Sequence, residues 1–126
     1  MKFSLIICTY QRSKVLLKLL ASVKKQTLYP NEIIIIDGSY DNETKLLIDK
    51  NTFEKLHYFK VEEKNRGLTK QRNFGISKVA EDSKIICFLD DDIILTTNYF
   101  KELIATYQLY PKALAVGGYI INEIKW

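Results

Sequence analysis

Three consecutive carboxylates, Asp90, Asp91 and Asp92, are the residues of this sequence with the clearest chemical potential. They directly follow the apolar run from Ile85 to Leu89, which is typical of a buried strand. Adjacent carboxylates repel one another, so we expect a cation or solvent to relieve the repulsion. Carboxylate oxygens suit Mg²⁺ or Mn²⁺, and Mg²⁺ usually binds one or two carboxylates together with substrate phosphates. The triplet therefore predicts a divalent-metal site, although solvation of a strand end and capping of the next helix explain it equally well.

Two further polar clusters follow apolar runs in the same way. The first contains Thr9, Tyr10 and Arg12, and the second begins at Asp37. Ligands bind beyond the carboxyl ends of parallel strands, so we expect both clusters to lie near the three aspartates. An Asp-Gly pair after a strand is by itself ordinary turn chemistry. The prediction of a shared site therefore rests on the coincidence of the three clusters.

Amide and guanidinium groups lie around the predicted start of a helix at Leu68. Asn65 precedes this helix, and Arg72 lies within it. A helix N-terminus favours an anion, and guanidinium groups bind phosphate well, so these side chains suit a phosphate or a base edge. Basic side chains on a helix also commonly form a solvated face, and this alternative stays open.

Apolar periodicity places these clusters on alternating strands and helices. Predicted strands cover residues 3–8, 32–37, 57–61, 84–89 and 113–121, and predicted helices cover residues 13–26, 43–49, 68–79 and 98–110. Ser13 is the expected N-cap of the first helix. The alternation predicts an α/β fold with three α/β/α layers, a mostly parallel sheet and right-handed crossovers. Residues 1–126 are expected to form a single domain.

Composition narrows the classes of function. The chain has 126 residues, 47% of them hydrophobic, which is enough to fill one core. Its mild net charge of +4 favours anionic small ligands at least as much as nucleic acid, and we expect no nucleic-acid partner. Cys8 and Cys87 end apolar runs and are predicted to be buried, reduced packing residues. No apolar run has the length of a signal-peptide core or a membrane span, so we expect a soluble, cytoplasmic segment.

Taken together, the ordered segments resemble the family 2 glycosyltransferases, which have the GT-A fold. The matching segments are Thr9-Tyr10-Gln11-Arg12, Asp37-Gly38-Ser39-Tyr40-Asp41, Asn65-Arg66-Gly67-Leu68, Arg72-Asn73-Phe74-Gly75-Ile76 and Phe88-Leu89-Asp90-Asp91-Asp92. They resemble, in this order, the family's Thr-Tyr-Asn-Arg loop, Asp-Gly-Ser-x-Asp turn, Asn-x-Gly-Leu and Arg-Asn-x-Gly-Ile signatures and Asp-x-Asp motif. The resemblance covers nearly the whole chain, and the order and spacing of the segments make it specific.

This resemblance implies transfer of a sugar from a nucleotide diphosphate sugar, with a UDP-sugar as the foremost donor, to a saccharide or other hydroxyl acceptor. It implies that Asp92 is the principal ligand of Mn²⁺ or Mg²⁺ and that Asp90 contacts the ribose or donor sugar and the metal. Asp37 then contacts the base, and Arg72 contacts the nucleotide. The expected nucleotide-sugar-binding set is completed by Thr9, Tyr10, Arg12, Asn65 and Asp91.

Three departures limit what carries over from the family. Ile36 and Ile93 stand where many members have additional acidic residues. The family's acceptor half, with the general base of inverting members, is expected beyond Trp126. We therefore expect a donor-binding half, truncated before the acceptor half, whose longer natural chain could associate with a membrane or form a homo-oligomer.

Two alternatives to a complete transferase follow from these residues. A donor-binding module without turnover remains open, because the acceptor half is not in this segment. A nucleotidyltransferase is less favoured, because the chain has no glycine-rich amino-terminal loop that would hold a triphosphate.

Overall fold

Strands and helices alternate along residues 1–122, the part of the chain that this computed structural model describes. The strands are β1 (Phe3–Thr9), β2 (Glu32–Asp37), β3 (Leu56–Lys60) and β4 (Ile85–Leu89), and the helices are α1 (Ser13–Lys24), α2 (Glu43–Asp49), α3 (Leu68–Ile76) and α4 (Tyr99–Leu109). A short 3₁₀ turn, Glu63–Asn65, precedes α3. The four strands form one parallel sheet in the order β3-β2-β1-β4. None of the helices in this range is long and apolar enough to cross a membrane.

The central strands β1 and β2 are buried on both faces because their apolar side chains alternate between two cores. One core packs Leu5, Ile7, Ile33 and Ile35 against residues of α1 and α4, including Leu19 and Phe100. The other core contains Ile6, Ile34 and Ile36 with Phe74 of α3. Strands covered on both faces have continuous apolar runs, as these two strands do. The predicted three-layer α/β/α arrangement is confirmed.

Two details of the prediction are wrong at element ends. Arg12, not Ser13, is the N-cap of α1, and Ser13 is the first helical residue. The Ser13 hydroxyl donates instead to Glu43 Oε1 at 3.0 Å, so it links α1 to α2. Helix α3 ends at Ile76 rather than at the predicted Val79. Trp126, the predicted limit of the donor half, lies outside the described residues.

The predicted strand over residues 113–121 is also wrong. These residues belong to no strand ladder in the described range, and Leu114 and Tyr119 are 100% and 86% exposed. An extended apolar segment becomes a strand only when a neighbour satisfies its backbone N–H and C=O groups. The sequence pattern shows the apolar run but not the partner strand that is needed.

Helix α3 lies very close to the sheet at Gly75. A Cβ atom on this residue would stand 2.7 Å from Ile6 Cγ2 and 3.4 Å from Ile36 Cγ1. Both isoleucines are fully buried and branched at Cβ, so their methyl groups have little room to move. Gly75 therefore sets the distance between the sheet and the helix that carries Arg72.

A buried hydrogen-bonded pair joins β2 to β3 at the carboxyl edge of the sheet. The Asp37 carboxylate is fully buried, and its Oδ2 accepts a hydrogen bond from the Tyr58 hydroxyl while its Oδ1 accepts one from the Ser39 N–H at 2.9 Å. Burial, followed by the hydrogen bond to Asp37, raises the pKa of Tyr58 above its usual value. The pair fixes the turn that follows β2.

Substituting Gly75→Ala tests the close approach of α3. Alanine gains about 1 kcal/mol of helix propensity, but overpacking a filled core costs about 1–3 kcal/mol, so we expect a net loss of about 1 kcal/mol in the free energy of unfolding. Urea unfolding followed by circular dichroism measures the change, with the exposed Lys70→Ala in the same helix as control. A Gly75→Ala protein as stable as the control variant would contradict the tight packing.

Substituting Tyr58→Phe tests the buried pair through its pH dependence. The variant leaves a buried carboxylate oxygen without its donor, so we expect a loss of about 1–3 kcal/mol at pH 7 to 9. Since the folded-state pKa of Tyr58 is raised, its stabilising contribution is present below the ordinary value of 10.0 and is lost as the pH rises above it. The stability difference between wild type and variant should therefore shrink above pH 10.

Chemical denaturation from pH 7 to 11 measures this difference, with Tyr119→Phe as an exposed control that removes the same hydroxyl. A difference that stays constant through this range would show that the Tyr58 hydroxyl does not depend on Asp37.

Candidate functional site

Polar residues from three strand ends meet at the carboxyl edge of the sheet. Thr9 and Asp37 are paired in register at the ends of β1 and β2, and the Gly38 N–H donates to the Thr9 carbonyl at 3.0 Å. The Thr9 hydroxyl donates to Asp91 Oδ2 at 2.9 Å. These hydrogen bonds join the loops after β1, β2 and β4 into one rim, where the sequence places its polar clusters.

The three aspartates differ in what they contact. Asp91 is buried and accepts hydrogen bonds from Thr9 and Arg12. The side chains of Asp90 and Asp92 are 65% and 53% exposed. Of the triplet, therefore, the two outer carboxylates present oxygens to a ligand, while the middle one holds the loop to β1.

Two arginines offset the repulsion within the triplet. Arg12 Nη1 lies 3.3 Å from Asp91 Oδ1 and 3.4 Å from Asp92 Oδ2. Arg72 Nη2 lies 3.4 Å from Asp90 Oδ1. Two guanidinium charges against three carboxylates leave a net charge of −1 (2 − 3). The cation that the sequence predicts beside the triplet is thus supplied in part by the protein itself.

A cleft of about 390 Å³ opens beside these residues, within the range typical of small-ligand sites. Its walls include Thr9, Tyr10, Arg12 and Asp91 from the strand ends, and Arg66, Gly67 and Gln71 from the start of α3. Positive and negative side chains therefore border one opening that also has an aromatic wall.

Planar groups cluster at one end of the cleft. Tyr10 and Tyr40 are in edge-to-face contact, with ring centroids 5.9 Å apart. The Arg66 guanidinium lies 4.1 Å from the Tyr40 ring centroid, and its Nε donates to the Gly38 carbonyl at 2.6 Å. Aromatic rings and a guanidinium plane in contact with one another suit a flat, polar-edged ligand such as a nucleobase.

The structure also shows where the other predicted residues lie. Asn65 ends the 3₁₀ turn and is set back from the cleft, which its neighbour Arg66 lines instead. Asp37 lies beneath the rim with its carboxylate bonded to protein groups. Arg72 lies over the Phe88 ring, 5.5 Å from its centroid, beside Asp90.

Two neutral glutamines outside the predicted binding set hold the rim together. The Gln71 side chain is buried, and its Nε2 donates to the carbonyls of Thr9 at 3.2 Å and Ile36 at 2.9 Å. Gln11 has a left-handed φ of 53°. Its N–H donates to Ser39 Oγ at 2.8 Å, and its Oε1 accepts from the Tyr40 N–H at 2.8 Å. Only their position within the motif segments could have indicated a role, because neither residue carries charge.

The two cysteines behave as packing residues. Burial raises the pKa of the Cys8 thiol to about 11 and that of Cys87 to about 12. Both thiols are therefore protonated at neutral pH, and a nucleophilic role is disfavoured, as the sequence predicts. Both are free cysteines; Cys87 is buried as predicted, whereas Cys8 is half-buried and lines the cleft.

The exposed carboxylates have the chemistry of a hard-cation site with few protein ligands. Within residues 1–122, no group of three or more His, Cys, Asp or Glu side chains is arranged to hold a metal ion. Mg²⁺ and Mn²⁺ do not require such a cage, since one or two carboxylates can hold the ion while water and substrate phosphates complete its shell. Asp90 and Asp92 fit that description.

Comparisons with a family model and with known protein sequences indicate the same family. The model of glycosyl transferase family 2 matches residues 4–126. The chain is 28% identical to the glucosyl-dolichyl phosphate glucuronosyltransferase of Haloferax volcanii, over 98% of this chain and 39% of that protein. It is 32% identical to the O-antigen chain rhamnosyltransferase RfbN of Salmonella typhimurium, over 94% of this chain and 37% of that protein. The chain thus spans well under half the length of these relatives.

Solved structures show the same fold. Residues 1–349 of S. aureus TarS, in complex with UDP-GlcNAc, superpose with a TM-score of 0.74 at 22% identity, over 98% of this chain and 39% of that chain. The mannosyltransferase PcManGT from Pyrobaculum calidifontis, in complex with GDP-Man and Mn²⁺, gives a TM-score of 0.67 at 21% identity, over 92% and 34% of the two chains. The predicted GT-A fold is confirmed. With a family model that covers all but the first residues and a matching fold, this chain belongs to glycosyl transferase family 2.

Proposed function

We propose that this domain binds the donor of a glycosyltransferase, which transfers a sugar from a nucleotide diphosphate sugar to a hydroxyl acceptor. The observation that carries the proposal is the exposure of Asp90 and Asp92 beside two arginines, next to Asp91, which lines a cleft of suitable size together with Arg12. Family membership supports the reaction class. A UDP-sugar is the foremost donor, because TarS, with the same fold, binds UDP-GlcNAc.

We assign the metal to the two exposed carboxylates, with Asp92 as the principal ligand and Asp90 as the second. A divalent cation, when bound, offsets the negative charge that develops on the departing nucleotide diphosphate. Arg12 and Arg72 lie beside these carboxylates, so they are placed to bind and orient the diphosphate oxygens as well. Mn²⁺ is the first choice for experiments, because the solved structure of PcManGT is a complex with GDP-Man and Mn²⁺.

We assign the nucleoside to the end of the cleft with the planar groups. Tyr10 lines this end, and Arg66 is held there by Tyr40 and the Gly38 carbonyl. Asp37 supports the same turn from below through Ser39 and Tyr58. Direct contact between Asp37 and the base stays a prediction. The hydrogen bonds of Asp37 support a different role, which is to hold the turn on which the base would rest.

The acceptor chemistry is assigned to another part of the protein. An inverting transfer needs a general base to deprotonate the acceptor hydroxyl. The relatives are more than twice as long as this chain, which supports a base outside residues 1–126. The alternative of a donor-binding module that works with a partner chain rests on the same observation.

Substituting Asp92→Asn tests the metal assignment. Even partners outside the first coordination shell change metal affinity by about 10–100-fold, so loss of a direct ligand should weaken Mn²⁺-dependent UDP binding at least about tenfold. Calorimetric titration of UDP with and without Mn²⁺ measures the effect. Asp49→Asn, which also removes an exposed, ion-paired aspartate, serves as control. Unchanged UDP binding by the folded Asp92→Asn protein would remove Asp92 from the site.

An assay of turnover by residues 1–126 separates donor binding from catalysis. We expect UDP-GlcNAc and Mn²⁺ to bind without release of UDP above the protein-free rate, because no acceptor base is supplied. A coupled assay for UDP, with a panel of sugar acceptors, measures the release. Sugar transfer by this segment would show that the acceptor chemistry lies within it and would exclude the binding-module alternative.

A further inference from the structure

We infer that Arg12 is the counterion of Asp92 when no metal is bound. When the cation and the diphosphate bind together, Arg12 breaks this ion pair and leaves the Asp92 carboxylate to the cation. The inference rests on the proposed function, because it assumes the metal assignment to Asp92. It adds a role for a residue that the sequence places only among ligand contacts. In this role Arg12 is a positioning residue that makes metal binding depend on the donor.

Arg12 forms ion pairs with two carboxylates, and one of these ion pairs is easier to break than the other. Asp91 is buried and anchored by Thr9, whereas Asp92 is exposed. Arg12 bridges the two, at 3.3 and 3.4 Å. Strong charge-assisted hydrogen bonds are usually about 2.7–2.9 Å, so both contacts are weak and the exposed one is the easier to break. Release of Asp92 alone would leave the buried carboxylate paired.

The backbone at Arg12 is fixed, so any adjustment falls on the side chain. Arg12 is the N-cap of α1, and its carbonyl accepts from the Leu16 N–H at 2.9 Å. The preceding residue, Gln11, is held through Ser39 and Tyr40. The guanidinium can therefore turn from Asp92 toward a phosphate in the adjoining cleft without any rearrangement of the loop.

Charge arithmetic gives the sign of the effect. A positive group beside Asp92 repels a second cation, so metal alone must bind against Arg12. A diphosphate brings negative oxygens that give the guanidinium a new partner, and the repulsion becomes an attraction. Mn²⁺ and UDP should consequently bind with positive coupling, and by linkage each should tighten the other equally.

The experiment compares Arg12→Gln with Lys14→Gln, an exposed residue of α1 whose substitution removes the same charge two positions away. Binding of Mn²⁺ in the absence of nucleotide is measured by electron paramagnetic resonance of the free ion. From Coulomb's law at about 5 Å in water, reduced by salt screening, we expect Arg12→Gln to bind Mn²⁺ roughly five- to tenfold more tightly than wild type. Lys14→Gln should stay within about twofold, because screening weakens its more distant charge.

Calorimetry of UDP with and without Mn²⁺ then measures the coupling. We expect the enhancement of UDP binding by Mn²⁺ to fall in Arg12→Gln and to persist in Lys14→Gln. The inference is overturned if Arg12→Gln binds Mn²⁺ in the absence of UDP no more tightly than Lys14→Gln does. It is also overturned if Arg12→Gln shows no measurable Mn²⁺ binding. If Arg12→Gln does not fold, millimolar Mn²⁺ should restore folding by replacing the missing charge, and failure to do so also overturns it.

The same data separate this inference from the proposed function. Wild-type protein that does not bind UDP in the presence of Mn²⁺ contradicts the donor site itself. Wild-type protein that binds UDP with Mn²⁺, but shows no difference between the two variants, leaves the donor site intact and removes only the role of Arg12.

Discussion

Repulsion among three like charges at the end of a buried strand is the constraint around which the rim is built. Asp90, Asp91 and Asp92 follow β4 without a break, and the fold gives the middle carboxylate a different environment from the outer two. The middle carboxylate is turned inward to a threonine hydroxyl, and the outer two face solvent beside guanidinium groups. Compensation is incomplete, and the residual negative charge favours the small cation that we propose to bind there.

The partners that answer these charges come from distant parts of the chain. Arg12 stands at the start of α1, and Arg72 lies on α3, on opposite faces of the sheet. Gly75 sets α3 close enough for Arg72 to reach Asp90, while Gln71 ties the same helix to the ends of β1 and β2. Packing in the two cores and electrostatics at the rim are thus parts of one arrangement.

Much of the fold could be predicted from the sequence, because most of its strands and helices have clear local patterns of apolar residues. The isoleucine run before Asp37 and the leucine spacing of α1 each specify an element without reference to the rest of the chain. Residues 113–121 have a strand pattern too, but a strand exists only with a partner, and no local pattern shows one. The prediction of Ser13 as N-cap was wrong for a similar reason. Its hydroxyl bonds to Glu43, which is distant in sequence and which no local pattern indicates.

The site could be predicted less completely than the fold. Charged residues identified the rim, and the structure brings Thr9, Arg12 and the aspartates together there. Sequence could not distinguish the inward Asp91 from its outward neighbours, because Asp91 continues the buried face of β4, and distant elements decide which face is buried. Arg66 and Gln71 belong to the polar segments at the start of α3 but were not in the predicted binding set, since their importance comes from a tyrosine ring and carbonyl groups that only the folded chain places beside them.

The position of β4 at the outside of the sheet has a consequence for how such a domain can grow. Within residues 1–122, only β1 pairs with this strand, and Ile86 and Phe88 on its surface are exposed. The carboxylates of the rim project beyond the strand tip, whereas any additional strand would attach along its flank. An added strand would bond to backbone groups of β4, whereas the rim presents side chains beyond its tip, so the domain can gain new neighbours without rebuilding the rim.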